Sequence, residues 1–105
     1  MRKIEKAMCE AVNSQKNWKC SNTEVRVEKQ DTVTIVCVYL HGNRICEVYE
    51  SCGQTEMTFS LAGRNTTTTR SRLNALGIDV KQKNFRPMWN GGYINPYRWY
   101  DTLEV

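Results

Sequence analysis

Histidine occurs once, at His41, proline twice, and no apolar stretch runs longer than the six residues Ile35–Leu40. Six apolar residues fall far short of the roughly 20 that a helix needs to cross a bilayer. The opening Met-Arg-Lys-Ile-Glu-Lys-Ala-Met carries an acid within a periodic pattern and lacks an apolar signal core. A chain that meets no membrane is therefore expected. The five cysteines, at 9, 20, 37, 46 and 52, form no C-x-x-C pair or similar short spacing, so zinc-finger and thioredoxin-type sites are excluded. Their odd number, with Cys9 and Cys37 inside apolar patterns, fits reduced thiols in a cytoplasm. A thiol nucleophile needs a base, which leaves only Cys46 or Cys37 with His41; that histidine stands at an expected turn, where a polar residue belongs anyway. P-loop, hydrolase-elbow, H-E-x-x-H and kinase signatures are all missing. Glu47, Glu50 and Glu56 surround one hairpin without metal-ligand spacing. The expectation is a non-enzymatic protein that uses no cofactor and no metal.

What is present is a single domain, 1–105, with 40% hydrophobic and 25% charged residues, near the averages for globular domains. Its charge is uneven. Residues 1–63 hold eight bases and eight acids, whereas residues 64–105 hold seven bases, Arg64, Arg70, Arg72, Lys81, Lys83, Arg86 and Arg98, against Asp79, Asp101 and Glu104. The net +4 therefore lies wholly in the second part. Six of the ten aromatics lie there too: Phe85, Trp89, Tyr93, Tyr97, Trp99 and Tyr100. Cations interleaved with rings suit a polyanion with stackable bases, and equally a solvated basic face above a core of aromatics.

Ile4, Ala7, Met8, Ala11 and Val12 make one apolar stripe and predict a helix over roughly Arg2–Asn13, with Arg2, Glu5, Lys6 and Glu10 facing water. Trp18 falls in a polar loop. Strand patterns follow at Thr23–Lys29, Thr32–Leu40, Arg44–Glu50 and Thr55–Leu61. The second is apolar on both faces, which predicts a central strand covered on each side. His41-Gly42-Asn43-Arg44 supplies a hairpin turn with Gly42 and Asn43 at its positive-φ positions. A short helix then begins among Asn65 and Thr66–Thr69, turns Leu73 and Leu76 inward and stops at Gly77. Val80–Phe85 reads as a further strand, and the chain from Pro87 reads as turns and a short hairpin. The fold class is α+β: an N-terminal helix, a four-stranded antiparallel meander, a short second helix, a further strand and an aromatic-rich C-terminal tail.

Two segments are candidates for binding. In Leu61–Leu76, Gly63 permits close backbone approach, and the helix start presents free N–H groups beside Asn65, Thr66, Thr67, Thr68, Thr69, Arg64, Arg70 and Arg72, an anion-binding combination. In Lys81–Tyr93, Lys81 and Lys83 share one side of an extended chain and Arg86 follows Phe85. If the two segments meet, their cations form one patch. Phe85, Trp89, Tyr97 and Trp99 could stack on bases or anchor a protein partner; of these, Phe85 and Trp99 are read as finishing the core, and Trp89 is kept with the binding set.

Leu40-His-Gly-Asn-Arg-Ile45, Leu61-Ala-Gly63 and Thr68-Thr-Arg-Ser-Arg-Leu-Asn-Ala-Leu76, with Asn22-Thr23 and Gln82-Lys-Asn84, resemble a family of short proteins of tailed bacteriophages. Arg64 stands where tryptophan is expected in that pattern, and Cys46 where alanine is usual. The resemblance implies a small accessory protein in the host bacterial cytoplasm and transfers no catalytic residues. Together with the basic, aromatic segments it points to a partner in host nucleic-acid machinery: nucleic acid itself or a nucleoprotein complex, with an anti-CRISPR-like inhibitor as one form. The alternatives are a module that captures a nucleotide or phosphate ligand, and a structural, homo-oligomeric phage component.

Overall fold

The computed structural model describes residues 1–103. Helix α1, Lys3–Ser14, is followed by strands β1 (Trp18–Cys20), β2 (Thr23–Gln30), β3 (Val33–Leu40), β4 (Asn43–Ser51) and β5 (Gln54–Phe59). Helix α2 spans Thr67–Ala75, and the chain closes with β6 (Lys81–Lys83), β7 (Arg86–Trp89), β8 (Gly92–Tyr93) and β9 (Tyr100–Asp101). The larger sheet has the order β1-β2-β3-β4-β5-β9 and the smaller β6-β7-β8, every pairing being antiparallel. The α+β class and the meander agree with the sequence pattern. The two flanking strands are additions: Trp18 opens an edge strand, half-buried against the core, and Tyr100–Asp101 returns to pair with β5.

Register explains which residues meet in the core. Val25 pairs with Val38, Val38 with Cys46, and Cys46 with Phe59, so all four point to one face. Met8 and Ala11 of α1 and Leu73 of α2 pack there, joined by Leu61, Ile78 and Val80. Burying such side chains contributes on the order of 1.5–3 kcal/mol each.

The other face of β3 carries Val33, Ile35, Cys37 and Tyr39; the apolar pattern predicted cover on this side too, yet only Cys37 is buried there and the other three are half-buried. Long side chains of the neighbouring strands roof its Tyr39 end. The Arg26 guanidinium lies 4.7 Å from the centre of the Tyr39 ring and that of Arg44 lies 5.4 Å away. Arg26 pairs with Glu24 at 2.9 Å and Arg44 with Glu47 at 2.7 Å. Snorkelling stems of this kind shield the Tyr39 end of the strand without a second layer.

The turn after β3 is also displaced by one residue. Leu40 pairs with Asn43, so the positive φ values fall on His41 (51°) and Gly42 (78°), leaving Asn43 in the strand. A bulge at Val38/Tyr39 absorbs the offset and turns both Ile45 and Cys46 inward.

Candidate functional site

The second helix starts as its sequence suggests. Thr66 is the N-cap: its Oγ1 accepts from the Thr69 N–H at 3.1 Å and bonds the Thr69 hydroxyl at 2.8 Å. That contact buries Thr69, leaving Thr67 exposed and Thr68 half-buried. Gly63 does serve a close approach, but to the chain's own tail. Its N–H donates to the Pro96 carbonyl at 2.8 Å, its φ is +76°, and a Cβ there would collide with the Tyr97 ring.

Arg72 does not belong to any surface. It is 3% exposed, and its Nη1 meets Glu5 Oε2 at 2.9 Å. Its Nε donates to Thr23 Oγ1 at 3.0 Å and its Nη2 to Asn22 Oδ1 at 3.4 Å, while Ser71 Oγ donates to Glu5 Oε2 at 2.5 Å. Glu5, expected to face water, is likewise buried. Burial pushes its carboxyl up, but the hydrogen bonds from Ser71 and Arg72, that of the Arg2 backbone and the charge of Arg72 bring it below the ordinary range. This cluster clamps α1, α2 and the start of β2 together, so Arg72, expected among the anion-binding residues, is a core residue.

Arg70 stays at the surface and bridges the two candidate segments. Its Nη1 donates to Asn65 Oδ1 at 2.5 Å, to the Asn65 carbonyl at 3.2 Å and to Gln82 Oε1 at 2.9 Å. Asn65 Nδ2 also reaches Gln82 at 3.2 Å. The start of α2 therefore lies against β6 at Gln82, on the side of that strand opposite Lys81 and Lys83, so this contact does not merge the cations of the two segments into one patch.

Strand pairing sorts the rest. Lys81 pairs with Met88, Met88 with Tyr93, and Lys83 with Arg86. Paired residues share a face, and alternate residues in a strand do too. Lys81, Lys83, Arg86, Met88 and Tyr93 thus form one face, while Gln82, Pro87 and Trp89 form the other. The second face turns inward: Pro87 is buried, and Trp89 lies 5.0 Å edge-on from Phe59 and 6.0 Å from Tyr100. Trp89 therefore packs one side on the core aromatics, and it stays half-buried and lines a groove with Asp79, Lys81 and Met88.

The outward face is cationic and aromatic. Arg86 stacks 4.0 Å above the Tyr93 ring. Among the described residues Lys83, Arg86 and Arg64 have no carboxylate partner, and Lys81 has only an exposed Asp79 at 3.5 Å, a contact worth about 0–1 kcal/mol. A groove of about 660 Å³ opens beside this face, lined by Asn65, Phe85, Arg86, Pro87, Tyr93 and Tyr97 among others, and its lining includes no carboxylate.

Phe85 and Trp99 were expected to complete the core, and neither does: Phe85 is 91% exposed and Trp99 42%. Two rigid prolines and the tail turn around Asn95 hold the groove's far wall, where Asn95 Oδ1 accepts from the Tyr97 N–H at 2.9 Å. The candidate site is thus Lys81, Lys83, Arg86, Phe85, Tyr93 and Tyr97, with Asn65 on the groove's lining, whereas Arg70 meets β6 from the Gln82 side and the exposed Arg64 makes no side-chain contact with this face among the described residues. The pairing Lys83–Asn-Phe–Arg86 was available in the sequence as a two-residue hairpin, which would have put Phe85 at an exposed tip.

Burial pushes Cys46 up to about 12 and also raises Cys37 and Cys9, opposite to an activated thiolate. Glu47, considered as an acid or ligand, is engaged by Arg44 and by the Tyr49 hydroxyl at 2.9 Å.

The Kyanoviridae Gp96 protein family matches residues 1–104. The chain belongs to that phage protein family. No curated protein and no solved structure matches it. No helix among the described residues is long and apolar enough to cross a membrane.

Proposed function

We propose that this protein is a non-enzymatic binding protein whose outward β6–β7–β8 face takes single-stranded nucleic acid. The observation that supports it most is the sharing of one face by Lys81, Lys83, Arg86 and Tyr93, with Phe85 and Tyr97 at its margin. Cations neutralise phosphates and release counterions, while exposed rings supply platforms for unpaired bases. A β-sheet surface does this well because alternation keeps every second side chain on the contact face.

The nucleotide-capturing alternative is less well supported, because Arg72 faces the core and the Arg70 guanidinium is already engaged by Asn65 and Gln82. Membership of a phage family fits a role in the cytoplasm of a host bacterium, on nucleic acid or on a nucleoprotein complex built around it. Inhibition of a bacterial defence, of the anti-CRISPR kind, is one form such a role would take.

Anisotropy of a fluorescent single-stranded oligonucleotide tests the reading. Lys83→Ala with Arg86→Ala should weaken binding by about tenfold or more, whereas Lys29→Ala, on the exposed end of β2, should leave it unchanged. Equal affinities for the double variant and the wild type would remove this face from the argument.

A further inference from the structure

Five tight turns in the described chain place two successive residues at positive φ: Phe85 stands second in one, and glycine stands second in the other four. His41-Gly42, Cys52-Gly53, Ala62-Gly63 and Asn90-Gly91 have first-position φ values of 51–53° and glycines at 76–82°. The remaining turn, Asn84-Phe85, has φ values of 53° and 62°. Glycine is favoured there because a Cβ crowds the following carbonyl, and a bulky side chain is an outlier in that region. The same residue is 91% exposed. Phe85 therefore stands out twice, in backbone conformation and in the water contact of a large apolar ring.

Its neighbours indicate what would cover the ring. Lys83 and Arg86, the pair that closes the turn, flank Phe85 in sequence and lack carboxylate partners among the described residues. The ring also borders the groove with Tyr93 and Tyr97. A ring projecting between two unneutralised cations complements a base attached to its phosphates.

We infer that Phe85 is the stacking anchor of the face, held at the hairpin tip to insert against an unpaired base while Lys83 and Arg86 hold the adjoining phosphates. The inference rests on the nucleic-acid reading above and narrows it. Phe85 separates single strands from duplex, because only unpaired bases offer a free face.

The test is Phe85→Gly, which gives this turn the glycine that the other four have. Relief of the left-handed strain opposes the greater freedom of glycine in the unfolded chain, so the melting temperature should hold or rise by up to about 5 °C. Affinity for a single-stranded oligonucleotide should nevertheless fall between about 5-fold and 150-fold, the range for losing one base–ring stack. The dependence on salt should not change, since no charge is removed. Phe85→Trp should retain binding, and its added emission, taken as the difference from wild type, should be quenched by the single strand and not by the duplex of the same sequence.

Wild-type affinity in Phe85→Gly, alongside weakened binding in Lys83→Ala/Arg86→Ala, would overturn the anchor and leave the cationic face standing. Equal affinity of the wild type for single strand and duplex would also overturn the anchor. No binding of either by the wild type would overturn both readings.

Discussion

Removing either partner of the Glu5–Arg72 pair should be among the most damaging single changes in this domain. Both side chains are about 95% withdrawn from water, and Arg72 also serves Thr23 and Asn22. Glu5→Ala leaves a buried guanidinium without its counter-charge, and Arg72→Ala leaves a buried carboxylate held only by Ser71 and the Arg2 backbone; each should cost about 3–5 kcal/mol. A domain of this size has a total stability of roughly 5–15 kcal/mol, so each variant loses a large share of it. Urea denaturation followed by circular dichroism reads the loss. At an m-value of about 1.5 kcal/mol/M the midpoint should fall by about 2–3 M. Glu5→Leu combined with Arg72→Met should recover most of that loss, because no uncompensated charge remains.

Acid supplies an independent check with a definite sign. The Glu5 carboxyl is depressed in the folded protein, so its contribution is fully present above the ordinary value near 4.5 and is lost as pH falls from there through the folded value. The wild type should lose stability over that window more steeply than Glu5→Gln does. Single variants costing less than about 1 kcal/mol would mean that water reaches the pair, and the clamp between the helices would have to be abandoned.

Gly63→Ala should destabilise more than Gly42→Ala, since both glycines have similar positive φ but only the first would drive a methyl into Tyr97. The expected difference of about 1–3 kcal/mol is that of an overpacked contact, and thermal melts of the two variants measure it. A thiol reagent at neutral pH should modify Cys20 and Cys52 quickly and Cys37 and Cys46 only on unfolding, because the first two are exposed and the others buried with raised pKa. Mass spectrometry with time counts the modified sites.

The meander and both helices were legible because each rests on local periodicity and turn chemistry, from the Ile4–Met8–Ala11 stripe to the Gly77 stop. The extra strands were not, since Trp18–Cys20 and Tyr100–Asp101 are too short to show alternation and exist only through pairing with longer neighbours. Arg72 was misplaced because an arginine on a helix is ordinarily solvated. Its spacing held a clue: Thr69, Arg72, Leu73 and Leu76 follow i, i+3, i+4, i+7, and Glu5, Met8 and Val12 lie on α1 at i, i+3 and i+7. Opposite charges on the inward stripes of two helices form a pair, though only tertiary packing brings them together. Lys81, Lys83 and Arg86 could be grouped from strand alternation and one hairpin, whereas the inward turn of Trp89 depended on Phe59 and Tyr100, distant in the chain.

Salt titration of oligonucleotide binding tests the central claim most directly. Three phosphates held by Lys81, Lys83 and Arg86 predict a slope of about −2 for log affinity against log salt, hence about a 20-fold loss between 50 and 200 mM. Lys83→Ala with Arg86→Ala should flatten the slope to about −0.7. A wild-type slope near zero, or one the double variant leaves untouched, would contradict the assignment of this face.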